Sequence, residues 1–197
     1  VVEAGVTLQA LQMATAEHRL EPGIDLPSRG SATIGGMAST NAGGISAFRS
    51  GVMRHRILGL EAVLADGSVY SDLTRVVKNA AGYDLKHLFV GAEGTLGVIT
   101  RIAVKLEPQP LATATVLFGL ASVDAALETV RRGLDAEYGH LRAAEAIWHS
   151  YFRLTSSHHR WSAADYATDH PVNLLMTLGG ADETALQSEL ARIYEDV

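Results

Sequence analysis

Apolar positions recur at helical spacing from Thr7 to Arg19, where Leu8, Leu11 and Met13 sit among good helix formers. Thr7 offers a cap and Pro22-Gly23 bars continuation. Weak alternation from Ile57 to Leu64 predicts a strand, joined to Ser68–Tyr70 through Ala65-Asp66-Gly67, a hairpin signal because Asp-Gly accepts positive φ. Asp84 reads as the cap of a short helix that docks Leu85, Leu88 and Phe89 on a sheet, and the β-branched run Gly97–Leu106 reads as a buried strand. Beyond Pro110 the pattern predicts strand (112–120), helix (122–134), strand (143–148), a helix around Tyr151, strand (172–178) and helix (182–194). That order predicts an α+β chain whose second part is most of a ferredoxin-like unit without its last strand, an open edge for self-association or a partner subunit. The polar run Thr155–Arg160 offers little to bury, so local disorder is expected near 150–170.

Charge divides the chain. Residues 1–110 carry ten basic and ten acidic side chains, whereas 111–197 carry six and twelve, so the whole net charge of −6 lies in the second part. A boundary near Pro108-Gln-Pro110 follows, giving domains 1–110 and 111–197. The acidic balance argues against nucleic acid or an anionic membrane as partner. Without cysteine there is no disulfide and no thiol nucleophile, which fits a reducing compartment. No apolar run approaches the ~20 residues of a membrane span, and a cytoplasmic location is expected, peripheral to a membrane only through a partner. Val1-Val-Glu opens in strand-like sequence without a start methionine and 185–197 stops inside a helical pattern, so the chain reads as a fragment.

Candidate chemistry concentrates in two glycine-rich stretches. Six glycines fall between Gly30 and Gly51, against an average usage of about 7%. Between Leu26 and Leu60 there is no Asp or Glu, yet Arg29, Arg49, Arg54, Arg56 and His55 all lie there, a local field that favours an anion such as a dinucleotide pyrophosphate. Ser28, Ser31, Thr33, Ser39, Thr40 and Asn41 add hydroxyl and amide partners for phosphates and ring edges. The bland alternative is a set of tight turns joining short strands. The second stretch, Gly91-Ala-Glu-Gly-Thr-Leu-Gly-Val-Ile-Thr100, lacks the strand-before, helix-after context of a Rossmann loop, and stays open between a ligand loop and a bulged strand entry. His158-His159 carries no metal reading, because neighbours on a helix diverge by about 100° and no third ligand has a recognised spacing. No nucleophile or base is identified.

Four motifs in order, Thr33-Ile-Gly-Gly36 with Thr40-Asn-Ala-Gly-Gly44, Gly59-Leu-Glu-Ala-Val-Leu-Ala-Asp-Gly67, Gly82-Tyr-Asp-Leu85 and Glu93-Gly-Thr-Leu-Gly-Val-Ile-Thr100, closely resemble the FAD-binding domain of the vanillyl-alcohol oxidase and p-cresol methylhydroxylase (PCMH) superfamily. The match is nearest the branch that holds D-lactate dehydrogenase, the flavin component of glycolate oxidase and D-2-hydroxyglutarate dehydrogenase. The resemblance implies the second part of a PCMH-type FAD-binding domain followed by an incomplete ferredoxin-like cap. It implies that FAD lies against Pro27, Ser28, Arg29, Gly30, Ser31, Ala32 and Thr33, the Gly35-Gly36 turn, Ser39, Thr40, Asn41, Ala42 and the adjoining Gly43-Gly44, and Glu93, Gly94, Thr95, Leu96, Gly97, Val98 and Ile99. The family's first phosphate loop falls upstream of Val1, and its metal or substrate histidines and base fall downstream of Val197. One departure is Ser50-Gly51, where many relatives have an aromatic-glycine pair; another is the His55-Arg56 position, where an acidic residue is common.

The implied reaction is oxidation of a D-2-hydroxy acid by hydride transfer to flavin, with an unspecified electron acceptor, the chain alone being inactive and colourless. Two other readings stay beside it: a non-catalytic flavin-binding or assembly protein, and a UDP-sugar enoyl reductase-like flavoenzyme, less favoured because Pro110–Val197 fits the hydroxy-acid branch better.

Overall fold

A computed structural model describes residues 1–158 and 169–195, which form two compact units, Val1–Gln109 and Pro110–Val197. His159 and the rest of 159–168 lie outside the described residues, as does that part of the expected disorder.

In the first unit a four-stranded sheet runs in the order β1 (Val2–Glu3), β5 (Val98–Val104), β3 (Ile57–Val63), β4 (Val69–Asp72), every neighbouring pair antiparallel. The β3–β4 hairpin forms at the expected place. Only Gly67 uses a positive φ there, of 83°, while Asp66 steadies the turn by accepting from the Ser68 N–H at 2.9 Å and hydroxyl at 2.6 Å. Helix α1 (Leu8–Ala16) starts at Thr7, whose hydroxyl accepts from the Ala10 N–H, and buries Leu8 and Leu11. A two-stranded ribbon pairs β2 (Leu20–Glu21) with β6 (Glu107–Pro108).

Between β2 and β3 the chain forms short helices rather than turns joining strands: α2 (Ile34–Ser39), α3 (Ala47–Ser50) and α4 (Met53–Arg56). Glycine disfavours a helix interior by about 1 kcal/mol relative to alanine, and α2 contains two. It forms because Thr33 caps it and because Ile34, Met37 and Ala38 enter the core with Leu60 and Ile102. Helix α5 (Lys86–Phe89) also differs from expectation, since its cap position is Leu85 and the Asp84 carboxylate is held by Lys86 Nζ at 2.6 Å.

The second unit is a three-stranded antiparallel sheet in the order β7 (Ala112–Leu120), β9 (Val172–Gly180), β8 (His140–Trp148). Helix α6 (Val123–Leu134) follows β7, α7 (His149–His158) follows β8, and α8 (Glu183–Glu195) follows β9. Strand order 1-3-2 with helices after strands one and three is the ferredoxin-like arrangement without its fourth strand, which leaves β7 on an open edge among the described residues. Phe118, Leu174, Met176 and Leu178 pack beneath Leu186, Leu190 and Ile193. Helix α7 corrects the expectation of disorder up to residue 158: Phe152 and Ser156, four residues apart, are buried, and the Ser156 hydroxyl is satisfied by the Arg153 carbonyl.

Candidate functional site

The two glycine-rich stretches meet in the first unit. The Gly91 N–H donates to the Ala38 carbonyl at 3.0 Å and the Glu93 N–H to the Ser39 carbonyl at 2.9 Å, so the loop after α5 is hung from the end of α2. Gly91, Glu93 and Gly94 all have positive φ, 82°, 51° and 77°, and Asn41 faces them with φ 51°. Glu93 is the costly member, because a side chain in this region clashes with its own backbone. On the other flank, Pro27–Thr33 is laced to the start of α1: Leu8 N–H donates to Ala32 O at 2.8 Å and Gln9 N–H to Arg29 O at 3.0 Å. Within that segment Ser28 O accepts from Ser31 and Ala32.

The candidate glycines divide by role. A Cβ at Gly35 would come within 2.5 Å of the Ala4 side chain, and one at Gly44 within 2.1 Å of the Asp25 carbonyl, so both permit close approach of chain to chain. Gly97 likewise lies against the Val63 carbonyl. Gly36 and Gly94 are exposed; a Cβ on Gly94 would meet nothing within 4 Å, and one on Gly36 only the Thr33 hydroxyl. A Cβ at Gly43 would touch Val52 and Ala47. Pro27, Ser28, Arg29, Gly30, Ser31, Thr40, Glu93, Thr95, Leu96 and Val98 are exposed, whereas Ile99 belongs to the core.

The polar groups divide in the same way. Thr33 Oγ1 accepts from the Gly36 N–H at 3.1 Å, the Thr40 hydroxyl donates to Gly36 O at 3.0 Å, and the Thr95 hydroxyl donates to Ala92 O at 2.6 Å. Among the described residues the Ser28 and Ser39 hydroxyls take no such internal partner, and neither does the Asn41 amide nitrogen. Open hydroxyl and amide groups and exposed glycines lie on these segments together with exposed Leu96 and Val98, a candidate cradle whose donor set fits the diphosphate and ring edges of a dinucleotide.

The positive field inferred from the acid-free run is weaker than its four arginines suggest. Arg29 pairs with Asp25 at 2.8 Å, and Glu107 takes both Arg49 at 2.9 Å and the buried Arg56 at 3.1 Å. The carboxylates come from just outside the run or from far downstream, beyond the reach of local composition. Burial pushes the Glu107 carboxyl up, but Arg56 and Arg49, with the Ser50 hydroxyl, bring it below the usual glutamate value. Arg54 alone of the four has no carboxylate partner among the described residues.

His87 carries no signal in the sequence that would mark it as a site residue. Its Nδ1 is buried without a hydrogen-bond partner and its Nε2 lies 3.4 Å from Asp84. Burial holds its pKa below the ordinary value despite the pull of Asp84. Tyr83, next to Asp84, is 94% exposed. Among the described residues no group of three His, Cys, Asp or Glu could hold a metal ion, and no helix is long and apolar enough to cross a membrane.

Comparison with known proteins agrees with this chemistry. Residues 1–72 match the FAD binding domain family. The D-2-hydroxyglutarate dehydrogenase, mitochondrial, of Danio rerio is 36% identical over 197 residues, covering 99% of this chain and 36% of that protein. The D-lactate dehydrogenase of Archaeoglobus fulgidus is 48% identical over 110 residues, 54% of this chain and 24% of that protein. The solved structure of alkyldihydroxyacetonephosphate synthase superposes with a TM-score of 0.72 at 16% identity, covering 98% of this chain and 36% of its own, which is a likeness of fold. The chain thus spans about a third or less of the length of these relatives.

Proposed function

We propose that this chain, whose first unit is part of a PCMH-type FAD-binding domain and which is related to the D-2-hydroxyglutarate and D-lactate dehydrogenases, belongs to an FAD-linked enzyme that oxidises a D-2-hydroxy acid. The observation that carries the reading is the 36% identity to D-2-hydroxyglutarate dehydrogenase, sustained across 99% of the chain. The cradle supports it, because exposed Gly36 and Gly94 and the open Ser28, Ser39 and Asn41 groups lie on segments that hydrogen bonds already hold together.

Pro27–Thr33, Gly36, Ser39–Gly43 and Glu93–Val98 would hold FAD, with Gly35, Gly44 and Ile99 shaping the wall from behind. Bound FAD supplies a hydride acceptor, and the protein supplies position and field. The contribution of these residues would be to bind and orient FAD.

The test is spectroscopic. A full-length protein carrying this sequence should purify yellow, and its flavin bands should bleach anaerobically with at least one of D-2-hydroxyglutarate, D-lactate and glycolate. For the chiral acids the L enantiomers should leave the bands intact. A yellow protein that no member of the panel bleaches would remove the hydroxy-acid reading and leave a flavin-binding one.

A further inference from the structure

Arg54 is bound at three points, and none of them is an acid. Its guanidinium donates to the His87 carbonyl at 3.0 Å and to the Val90 carbonyl at 2.6 Å, both at the C-terminal end of α5. Its own backbone N–H donates to Asn41 Oδ1 at 2.9 Å. A Cβ built on Gly91 would lie 3.4 Å from both the guanidinium and the Asn41 Cβ, so the three residues are in contact around one spot. Ala38–Ala42 and Gly91–Thr95 lie far apart in the first unit's sequence, and among the described residues two direct backbone hydrogen bonds, Gly91 N–H to Ala38 O and Glu93 N–H to Ser39 O, align them.

We propose that Arg54 is a positioning residue that locks these two segments in register, so that both meet FAD as one preformed surface. The proposal rests on the flavin reading above. A guanidinium suits the task because its planar fork reaches two carbonyls three residues apart at once, whereas an ammonium is a point donor that satisfies one well. Donation from a charged guanidinium also makes each of these bonds stronger than a neutral one. With the segments fixed beforehand, binding loses less of its free energy to ordering the loops.

The test uses the full-length protein, stripped of flavin, with Arg54→Met, Arg54→Lys and, as control, Arg101→Met, whose guanidinium pairs with Glu61 on the sheet. Readouts are FAD affinity by fluorescence titration, amide exchange and the melting temperature of the stripped protein. Arg54→Met should weaken FAD binding about 10- to 100-fold, the equivalent of about one charge-assisted hydrogen bond. The Gly91 and Glu93 amides should exchange at least about tenfold faster while those of β3 and β5 stay slow. Arg54→Lys should recover only part of the affinity, and Arg101→Met should match the parent. Unchanged affinity in Arg54→Met would overturn the proposal, as would uniformly faster exchange across the unit or full rescue by lysine. If the parent protein itself takes up no FAD, the flavin reading fails instead, and exchange at Gly91 and Glu93 still decides whether Arg54 locks the loops.

Discussion

The two units solve the problem of holding a chain in place by opposite means. The second uses regular elements: two nine-residue strands flank a third of equal length, and helices of twelve and thirteen residues cover one face. Its core is a periodic apolar stripe, and its shape follows from area removed from water. Between residues 22 and 56 the first unit uses no element longer than six residues. There Ile34, Met37, Ala38 and Met53 enter the core, and between them the backbone is held by individual polar contacts, Arg56 and Arg49 on Glu107, Arg54 on the end of α5, and Asn41 on Arg54. A phosphate-bearing ligand needs exposed backbone and hydroxyl donors, so specific polar contacts supplement burial where binding is expected.

That contrast can be broken at its strongest contact first. Glu107→Gln leaves buried Arg56 without a counter-charge, facing only neutral oxygens such as the carbonyls of Pro22 and Lys105, and an unpaired buried charge costs about 3–5 kcal/mol. Denaturant unfolding should show that loss, with the first unit's amides exchanging fastest. Leu178→Ala, at a fully buried position of β9, should cost about 3 kcal/mol through a cavity, a loss spread over the second unit's sheet rather than confined to one loop. Gly44→Ala should cost more than about 1 kcal/mol because its methyl would lie against the Asp25 carbonyl. Gly36→Val should change stability by less than about 1 kcal/mol yet lower FAD uptake, as measured by flavin absorbance per protein. Equal flavin content in Gly36→Val and the parent would remove Gly36 from the cradle.

The smallest effect is electrostatic. The Arg101 side chain and the Thr100 hydroxyl hold the Glu61 carboxyl down at about 2, from an ordinary 4.5. A group depressed by folding stabilises the fold above its unfolded value, so this contribution is complete above pH 4.5 and is lost as the pH falls toward 2. Carboxyl chemical shifts followed through an acid titration should place Glu61 below the other glutamates, and Arg101→Met should return it upward.

Legibility follows the same divide. In the second unit the strand and helix positions can be read because period and burial agree; β8 starts three residues earlier than expected because a register shift between Leu141 and Ala143 interrupts its alternation. Helix α2 is not legible, since its two glycines argue locally against a helix and its reward comes from Met37 and Ala38 entering a core assembled elsewhere. Glycine and hydroxyl content marks Gly30–Gly51 as a candidate cradle, whereas Glu93–Ile99 stays open on its residues and enters through the family resemblance. What composition cannot supply is the state of each arginine, because Glu107, His87 and Val90 reach them across 33 to 58 residues.

The open edge of β7 has a bearing on how this polypeptide behaves in the tube. Nine residues, Ala112–Leu120, contain neither a charge nor a proline, and beside them runs a groove of about 690 Å³ lined by Val116, Phe118, Leu190 and Tyr194. A second copy can lay its own β7 antiparallel along this edge, since the strand itself carries no charge and nothing in its composition acts as a gatekeeper. Solubility should therefore fall off with concentration faster than a net charge of −6 suggests, and light scattering from the isolated 197-residue chain should rise more steeply than in proportion to concentration. Thr115→Lys, which places an ammonium on the strand, should keep the chain in solution at concentrations where the parent clouds.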